Sequence, residues 1–289
     1  MTGVQTCALP ISKKPPVIWS ESSDLSQIQP VIAAFNKAFP DIKLEYIRDT
    51  GGNTLAAKAI QETQAGGVPA AFLMGDPSQF DALDKRGMLV KPDWNALGVE
   101  PALIGSPFMV AITAAIGCFI WNSQKVSDAE RPRHLDDLVK PRFKDKVGSW
   151  IRAPGYASFG KLMGDDYIRD WTQKLVANGV KVYDTTYRLA QEVGSGEIEV
   201  AFGLTHSVAP VIAAGAPVKM DLTDPISTNT LFGAVVAKGA NPEGAQVLAA
   251  WLTTKEGADA YEAGVGRGNP FVPGSKASAL VGARKISEY

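Results

Sequence analysis

An α/β protein of two lobes is predicted by three observations. A short apolar strand candidate runs into a Ser/Thr/Gly/Asp-rich turn that opens a helix three times in the first eighty residues: 17–19 into 20–24, 44–47 into 49–54, and 70–74 into 75–78. A second α/β set begins near residue 147 with strands and helices of its own. Two candidate crossings, near residues 106–121 and 221–236, separate the sets. The regular βαβαβα order argues for parallel sheet with helices on both faces. Two lobes joined by two or more strands make a hinge architecture whose cleft closes on a ligand. The same segments would also fit one large sheet, an alternative the sequence leaves open.

The first helix is read over 25–39, where Leu25, Ile28, Ile32, Phe35 and Phe39 keep one face apolar. Ser23 is its expected N-cap. Pro30 either kinks this helix or stands in the first turn of a main helix, and Pro40 ends it. A strand follows over 42–47, then a helix over 54–64 that stops at Gly66-Gly67. The third helix opens with Asp76 as cap and Pro77 at the first helical position. Residues 106–112 and 115–121 read as two long strands, followed by a polar stretch over 122–133.

The second set begins with a strand at 147–151 and helices at 158–163 and 167–177. Ile168, Trp171 and Leu175 share a face of the latter, and Asn178-Gly179 closes it. A strand at 181–183, a helix at 186–193, a strand at 198–204, a helix at 208–214 and a strand at 218–222 complete it. The chain then crosses 223–230 into a strand at 231–237. Asn241-Pro242 opens a helix carrying Val247, Leu248, Trp251 and Leu252, and a further helix, 255–263, stops at Gly264. The lobes are accordingly drawn as 12–112 with 224–274, and 113–223 with 275–289.

At 289 residues the chain is long for one core and comfortable for two. A formal charge of -1 and 45% hydrophobic content fit a globular protein, with no basic excess to suggest nucleic acid. No stretch approaches the roughly twenty apolar residues of a membrane span. Residues 1–11 (MTGVQTCALPI) lack the basic n-region of a signal peptide and resemble a translated sequencing-library adapter. A native start near Ser12 is therefore expected, with any export signal upstream of it. Without Cys7, Cys118 alone remains, a core residue that permits no internal disulfide and no thiolate metal site.

The motifs of catalysis are missing. There is no G-x-x-x-x-G-K-[ST] phosphate loop and no G-x-S-x-G elbow, since GYASFG at 155–160 has its serine one place too late. Gly264-Val265-Gly266-Arg267-Gly268 follows a helix and reads as a stop and turn. His134 and His206 lie far apart and show no metal-ligand spacing. Asp136/Asp137 and Asp165/Asp166 are explained as first-turn partners of helix dipoles. What the turns do offer is backbone N–H groups and hydroxyls at helix N-termini, where partial positive charge gathers. Capture of a small polar solute is favoured over chemistry upon it, and no cofactor is expected.

Several segments resemble one known family: FNKAFPDI at 35–42, QAGGVPA at 64–70, LDDLVKPRFKDKVG at 135–148, VGSGEIEV at 193–200, and 240–257 with its Asn-Pro-Glu helix start and Thr254-Lys255-Glu256-Gly257. Their order, over about 16–273, resembles the extracellular solute-binding proteins of bacterial ABC importers, in the branch containing the ferric-iron binders. The resemblance implies the type II periplasmic-binding-protein fold, a hinge, a periplasmic location, action as a monomer and delivery of ligand to a membrane permease. Family members usually continue past a segment like 283–289 into closing helices. Ferric-iron members hold the metal with a neighbouring pair of tyrosines just after the strand equivalent to 198–204. Here that place reads Leu204-Thr205-His206-Ser207, so phenolate-held Fe³⁺ is not expected.

By position in the family pattern, one lobe should offer Ser22, Ser23, Thr50, Gly51 and Asp76 to the ligand. The other should offer Arg152, Gly155, Tyr156, Ser158, Thr185, Tyr187, Thr205 and His206. Each has a plainer reading beside it: Ser23 and Asp76 as helix caps, Gly51 and Gly155 as turn formers, Arg152 in a surface ion pair, Tyr156 and Tyr187 packed on helices, His206 capping its own helix. A guanidinium at a strand end suits carboxylate or phosphate bidentately. The expected solute is a small organic anion, meaning a carboxylate, phosphonate or phosphate ester. Trp19, Glu21, Asp24 and Asp184 keep open a cationic solute of the polyamine or thiamine type. A ferric ion, and an enzyme built on the same scaffold, are the remaining alternatives.

Overall fold

Alternation along β1 (Val17–Glu21) sends Val17 and Trp19 into one face of its sheet, and this face receives α1 (Leu25–Ala38), α8 (Pro242–Leu252) and α9 (Lys255–Val265). The computed structural model describes residues 14–49, 54–152 and 154–288, the side chains of 154, 155, 157, 287 and 288 excepted. These divide into two compact units: Met1–Ala114 with Thr230–Leu280, and Ala115–Asn229 with Val281–Tyr289. Two strands contribute to both. β5 (Met109–Asn122) changes unit between Ala114 and Ala115, and β10 (Ile226–Val235) between Asn229 and Thr230.

In unit 1 the strand order is β2 (Leu44–Arg48), β1, β3 (Phe72–Gly75), β10. β1 runs parallel to both neighbours, pairing Trp19 with Tyr46 and Phe72, and β10 returns antiparallel with Phe232 opposite Gly75. On the α1 face Phe35 meets the Trp251 ring edge-on at 5.4 Å and Trp19 meets Tyr46 likewise at 5.6 Å. The opposite face is covered by α2 (Thr54–Gln64) and α3 (Pro77–Asp84), whose Leu55, Ala59, Phe80 and Leu83 pack on Leu73. Three parallel strands therefore end at one edge, and each is followed there by a helix start.

Unit 2 repeats the plan. β8 (Val200–Leu204), β6 (Val147–Trp150) and β7 (Lys181–Tyr183) are parallel neighbours, and β5 lies antiparallel to β8 and to β9 (Val218–Leu222). Phe119 and Trp121 face α4 (Pro154–Met163) and α5 (Asp165–Ala177) with Trp171 and Leu175. Cys118 and Ile120 face α6 (Thr186–Ser195) and α7 (Thr205–Ala213) with Leu189, Val193 and Val208. Burial pushes the Cys118 thiol above its usual range, consistent with its place in the core. A short β4 (Ile104–Ser106) pairs with β5, α10 (Lys276–Val281) follows α9, and β11 (Ile286–Glu288) pairs with β10. Among the described residues no helix is long and apolar enough to cross a membrane.

Three local expectations are corrected. The two strands read at 106–112 and 115–121 are one continuous β5. Thr113, between the two expected strands, lies within β5, and its hydroxyl shares its proton between the carbonyls of Arg267 at 2.9 Å and Gly268 at 3.1 Å. Pro30 lies inside α1, which starts five residues ahead of it, and Asp24, not Ser23, holds the N-cap position. α7 begins at Thr205, three residues earlier than its apolar face suggests.

Gly264 gives the fold a check. An added Cβ there would run into the backbone carbonyl of Gln27 in the first turn of α1, whereas one at Gly160 meets only ordinary contacts at 3.5 Å and beyond. Gly264→Ala is expected to lower unfolding free energy by about 1–3 kcal/mol, and Gly160→Ala to raise it by about 0.5–1 kcal/mol, as read from urea titrations of the two variants.

Candidate functional site

At the carboxyl edge of unit 1 the helix starts are served by the chain's own acids. Glu21, 1% exposed, ends β1 and accepts at Oε2 from the Ser23 N–H (3.0 Å) and the Ser23 hydroxyl (3.1 Å). The Tyr46 hydroxyl lies 2.7 Å from Ser23 O and 3.1 Å from Glu21 Oε1, its one proton shared between them. Burial, with the adjoining Glu21 charge next, pushes the Tyr46 phenol far above its usual range. The Asp24 N–H donates to Gln27 Oε1 (3.1 Å), and the Asp24 carboxylate pairs with Arg48. Asp49 accepts from the Thr54 hydroxyl at 2.6 Å. Asp76 stands at the N-cap position of α3, followed by Pro77, which has no N–H to offer. Ser22 is exposed, and its carbonyl accepts from Arg48 Nε. Thr50 and Gly51 lie outside the described residues.

Unit 2 is built differently at the same edge. Parallel β6, β7 and β8 lead into α4, α6 and α7. Trp150 Nε1 donates to Asp184 O (3.0 Å) and the Ile151 N–H to Tyr183 O (2.9 Å), tying the first two exits together. The Thr185 hydroxyl caps α6 by accepting from the Arg188 N–H at 3.1 Å. α7 comes straight off β8 with Leu204 in the N-cap position, so its first turn has no side-chain cap. Thr205 and His206 open that turn. His206 is 7% exposed, with the half-open Tyr187 ring edge-on to it at 5.8 Å. Behind them the hydroxyls of Thr186 and Ser207 meet at 2.5 Å, and those of Ser158 and Ser227 at 2.6 Å. Arg152 is exposed just beyond the end of β6 and forms no ion pair with any described residue. Gly155 lies in the first turn of α4.

Tyr156 takes its plainer reading. Its ring packs 4.9 Å from Trp171 and 5.3 Å from Phe202, and its hydroxyl lies 3.1 Å from that of Ser149. An apolar cavity of about 410 Å³ opens beside it, lined by Ile168, Trp171, Leu175, Val180 and Val182, surroundings unsuited to a charged solute. Among the described residues no three His, Cys, Asp or Glu side chains gather as a metal ion would require.

Residues 31–285 match the model of a family described as bacterial extracellular solute-binding protein. The chain belongs to that family. The Fe(3+)-binding periplasmic protein of Serratia marcescens is 26% identical over 248 residues, covering 77% of this chain and 71% of that one. Iron-bound HitA from Pseudomonas aeruginosa superposes with a TM-score of 0.72 at 21% identity, covering 88% of this chain and 86% of that one. AfuA from Actinobacillus pleuropneumoniae, solved with fructose-6-phosphate bound, superposes with a TM-score of 0.66 at 18% identity, covering 95% and 88%. The chain thus has the type II periplasmic-binding-protein fold and is a bacterial extracellular solute-binding protein. Its family is extracellular or periplasmic and consists of transport proteins that bind small solutes and work with a permease.

Of the residues singled out from sequence, the structure gathers Arg152, Thr185, Tyr187, Thr205 and His206 at the carboxyl edge of unit 2, and Ser22, Ser23 and Asp76 at that of unit 1. In unit 1 the Ser23 and Asp24 N–H groups, just ahead of α1, are already taken by Glu21 and Gln27. Tyr46, which hydrogen-bonds Glu21 and Ser23, and Tyr261 with the nearby Arg267 are not among the residues singled out for the site. Nothing local marks Tyr46 and Tyr261, and the Gly-rich run around Arg267 reads first as a helix stop.

The tyrosines set an alkaline limit. Burial, opposed by the Ser149 hydrogen bond, raises the Tyr156 pKa from about 10 to about 12. The folded state therefore holds this proton more tightly than the unfolded chain, and the stability it contributes is complete below pH 10 and lost as pH rises toward 12. Unfolding free energy measured in urea between pH 9 and about 11.5 is expected to fall, and to fall less steeply in Tyr156→Phe.

Proposed function

We propose that this binding protein captures a small organic acid (a carboxylate, phosphonate or phosphate ester) and delivers it to the permease of its importer. The observation that carries the reading is the start of α7 at Thr205, where Leu204 in the N-cap position makes no side-chain cap, on the same edge of unit 2 as the guanidinium of Arg152, which pairs with no described residue. Backbone N–H groups at a helix start favour an anion, and a guanidinium meets an acid group bidentately. The sugar phosphate bound by AfuA lies within this class, though that relative shares the fold at low identity.

Magnitudes agree. Micromolar to nanomolar capture needs roughly 8–12 kcal/mol. Hydrogen bonds to a charged group contribute about 1.5–3 kcal/mol each. Four or five of them, less the entropic losses of association, reach that range without a metal.

One observation favours a second reading. Glu21, Asp24, Asp49 and Asp76 crowd the carboxyl edge of unit 1, and acidic groups suit a cationic solute. Glu21 holds Ser23 and Tyr46, Asp24 holds Arg48 and Asp49 holds Thr54, so these carboxylates already have partners. A ferric cargo, as in the Serratia relative, would need anionic oxygen ligands where this chain has Thr205 and His206.

A melting screen over inorganic phosphate, fructose-6-phosphate, citrate, spermidine and ferric chloride tests the assignment. Acids are expected to raise the melting temperature, and Arg152→Ala to weaken the best of them by about 1.5–3 kcal/mol in calorimetric titration. Stabilisation by spermidine or ferric chloride alone would overturn the solute class, and full affinity in Arg152→Ala would remove that residue from the site. The solute recovered unchanged after prolonged incubation is the outcome that separates binding from turnover.

A further inference from the structure

We propose that Arg267, with the Tyr261 hydroxyl beside it, is an oxyanion-binding point of unit 1, suited to a carboxylate or phosphate group. Gly266, at φ 79°, ends α9 in the left-handed region and turns the chain out of the helix at Arg267. The main chain there is pinned: the Thr113 hydroxyl donates to Arg267 O and Gly268 O, and the Ala114 N–H donates to Gly268 O at 2.8 Å. Gly264, three residues earlier, sits so close to the first turn of α1 that a Cβ would strike Gln27 O. Arg267 is thereby fixed near the start of α1, in the same unit and on the same network as Glu21 and Ser23.

Its donors are unanswered. Arg267 Nε is shut off from solvent and has no hydrogen-bond partner, and its guanidinium makes no ion pair with any described residue. The Tyr261 hydroxyl, in a side chain 1% exposed, also completes no hydrogen bond. The nearby Ser23 hydroxyl is directed to Glu21 instead. Burial and then the Glu21 charge drive the Tyr261 pKa up, while Arg267 and then the adjoining Ser23 hydroxyl oppose them. A buried N–H without an acceptor is destabilising, and natural structures rarely retain one without a reason. A side chain held by its own backbone, with a fork of N–H groups unmatched by any carboxylate, fits an incoming oxyanion. None of these groups belongs to the unit 2 site, so the point stands or falls apart from it.

The test follows the Arg267 Nε–Hε signal by NMR in the full chain, assigned through the backbone, while inorganic phosphate and then citrate are added. Sodium chloride at matched ionic strength is the control. A saturable shift of that signal with phosphate or citrate but not chloride is expected. Its apparent affinity should fall three- to tenfold in Tyr261→Phe and hold in Lys174→Ala, which removes an exposed cation of α5. An unmoved signal, or one that chloride moves equally, overturns the proposal. If the signal stays still while Arg152→Ala abolishes phosphate stabilisation, the unit 2 site survives and this one does not. The opposite pattern removes the unit 2 site and leaves Arg267.

Discussion

Every α-helix begins with backbone N–H groups that its own turns cannot satisfy, and in this protein the strand ends of each unit bring several such starts to one edge. A parallel sheet multiplies the problem, because each strand of β1, β2, β3 or of β6, β7, β8 ends at the same edge and feeds a helix there. In unit 1 the chain answers with acids: Glu21 takes the Ser23 amide and hydroxyl, the Gln27 carbonyl takes the Asp24 amide, and Pro77 removes one donor at the start of α3. Among the described residues of unit 2, Thr185 caps α6 with its side chain, whereas Leu204 at the start of α7 makes no side-chain cap. The two edges therefore differ in what stands at their helix starts, Asp24 and Asp76 in the first and Thr185 and Leu204 in the second.

Holding a carboxylate such as Glu21 in the interior is unfavourable unless its oxygens are matched. The match comes from elements distant in sequence. Tyr46 arrives from β2 with its ring against Trp19 and its hydroxyl over Glu21 Oε1, and Tyr261 arrives from α9 with its ring 6.3 Å from that of Trp19. The aromatic cluster that builds the core of unit 1 is thus also what brings two phenols to the end of β1. Packing and polar geometry are one arrangement here, because the same side chains carry both. The close approach of α9 to α1 at Gly264 completes it by bringing Arg267 to that end as well.

Much of this was legible in the residues, and the exceptions have physical causes. α2, α3, β7 and β9 run over the residues their signals predict, since Gly66-Gly67, Asp76-Pro77 and Asn178-Gly179 are local stops and starts that tertiary contacts do not overrule. β5 was cut in two at Thr113 because its hydroxyl finds acceptors at Arg267 and Gly268, about 150 positions away along the chain and invisible to a local pattern. Ser23 lost the cap position to Asp24 for a related reason: Glu21, two residues back, claims both of its donors. Tyr156 was read as open to a ligand or packed, and the apolar rings of Trp171 and Phe202 decide for packing. Helix starts were readable as places, but not which of them the fold would fill from within.

That last distinction bears on why one scaffold can serve solutes of opposite charge. The resemblance to ferric-iron binders places a pair of phenolates just after the strand that corresponds to β8, so that negative oxygens face a hard cation. This chain puts Thr205 and His206 there, at the head of a helix whose N-cap Leu204 makes no side-chain cap, and sets Arg152 on the same edge. Amide N–H groups and a guanidinium repel a trivalent cation and attract an oxyanion. On the reading proposed above, a change at two positions after one strand inverts the sign of the site while the sheet, the helices and their packing stay as they are.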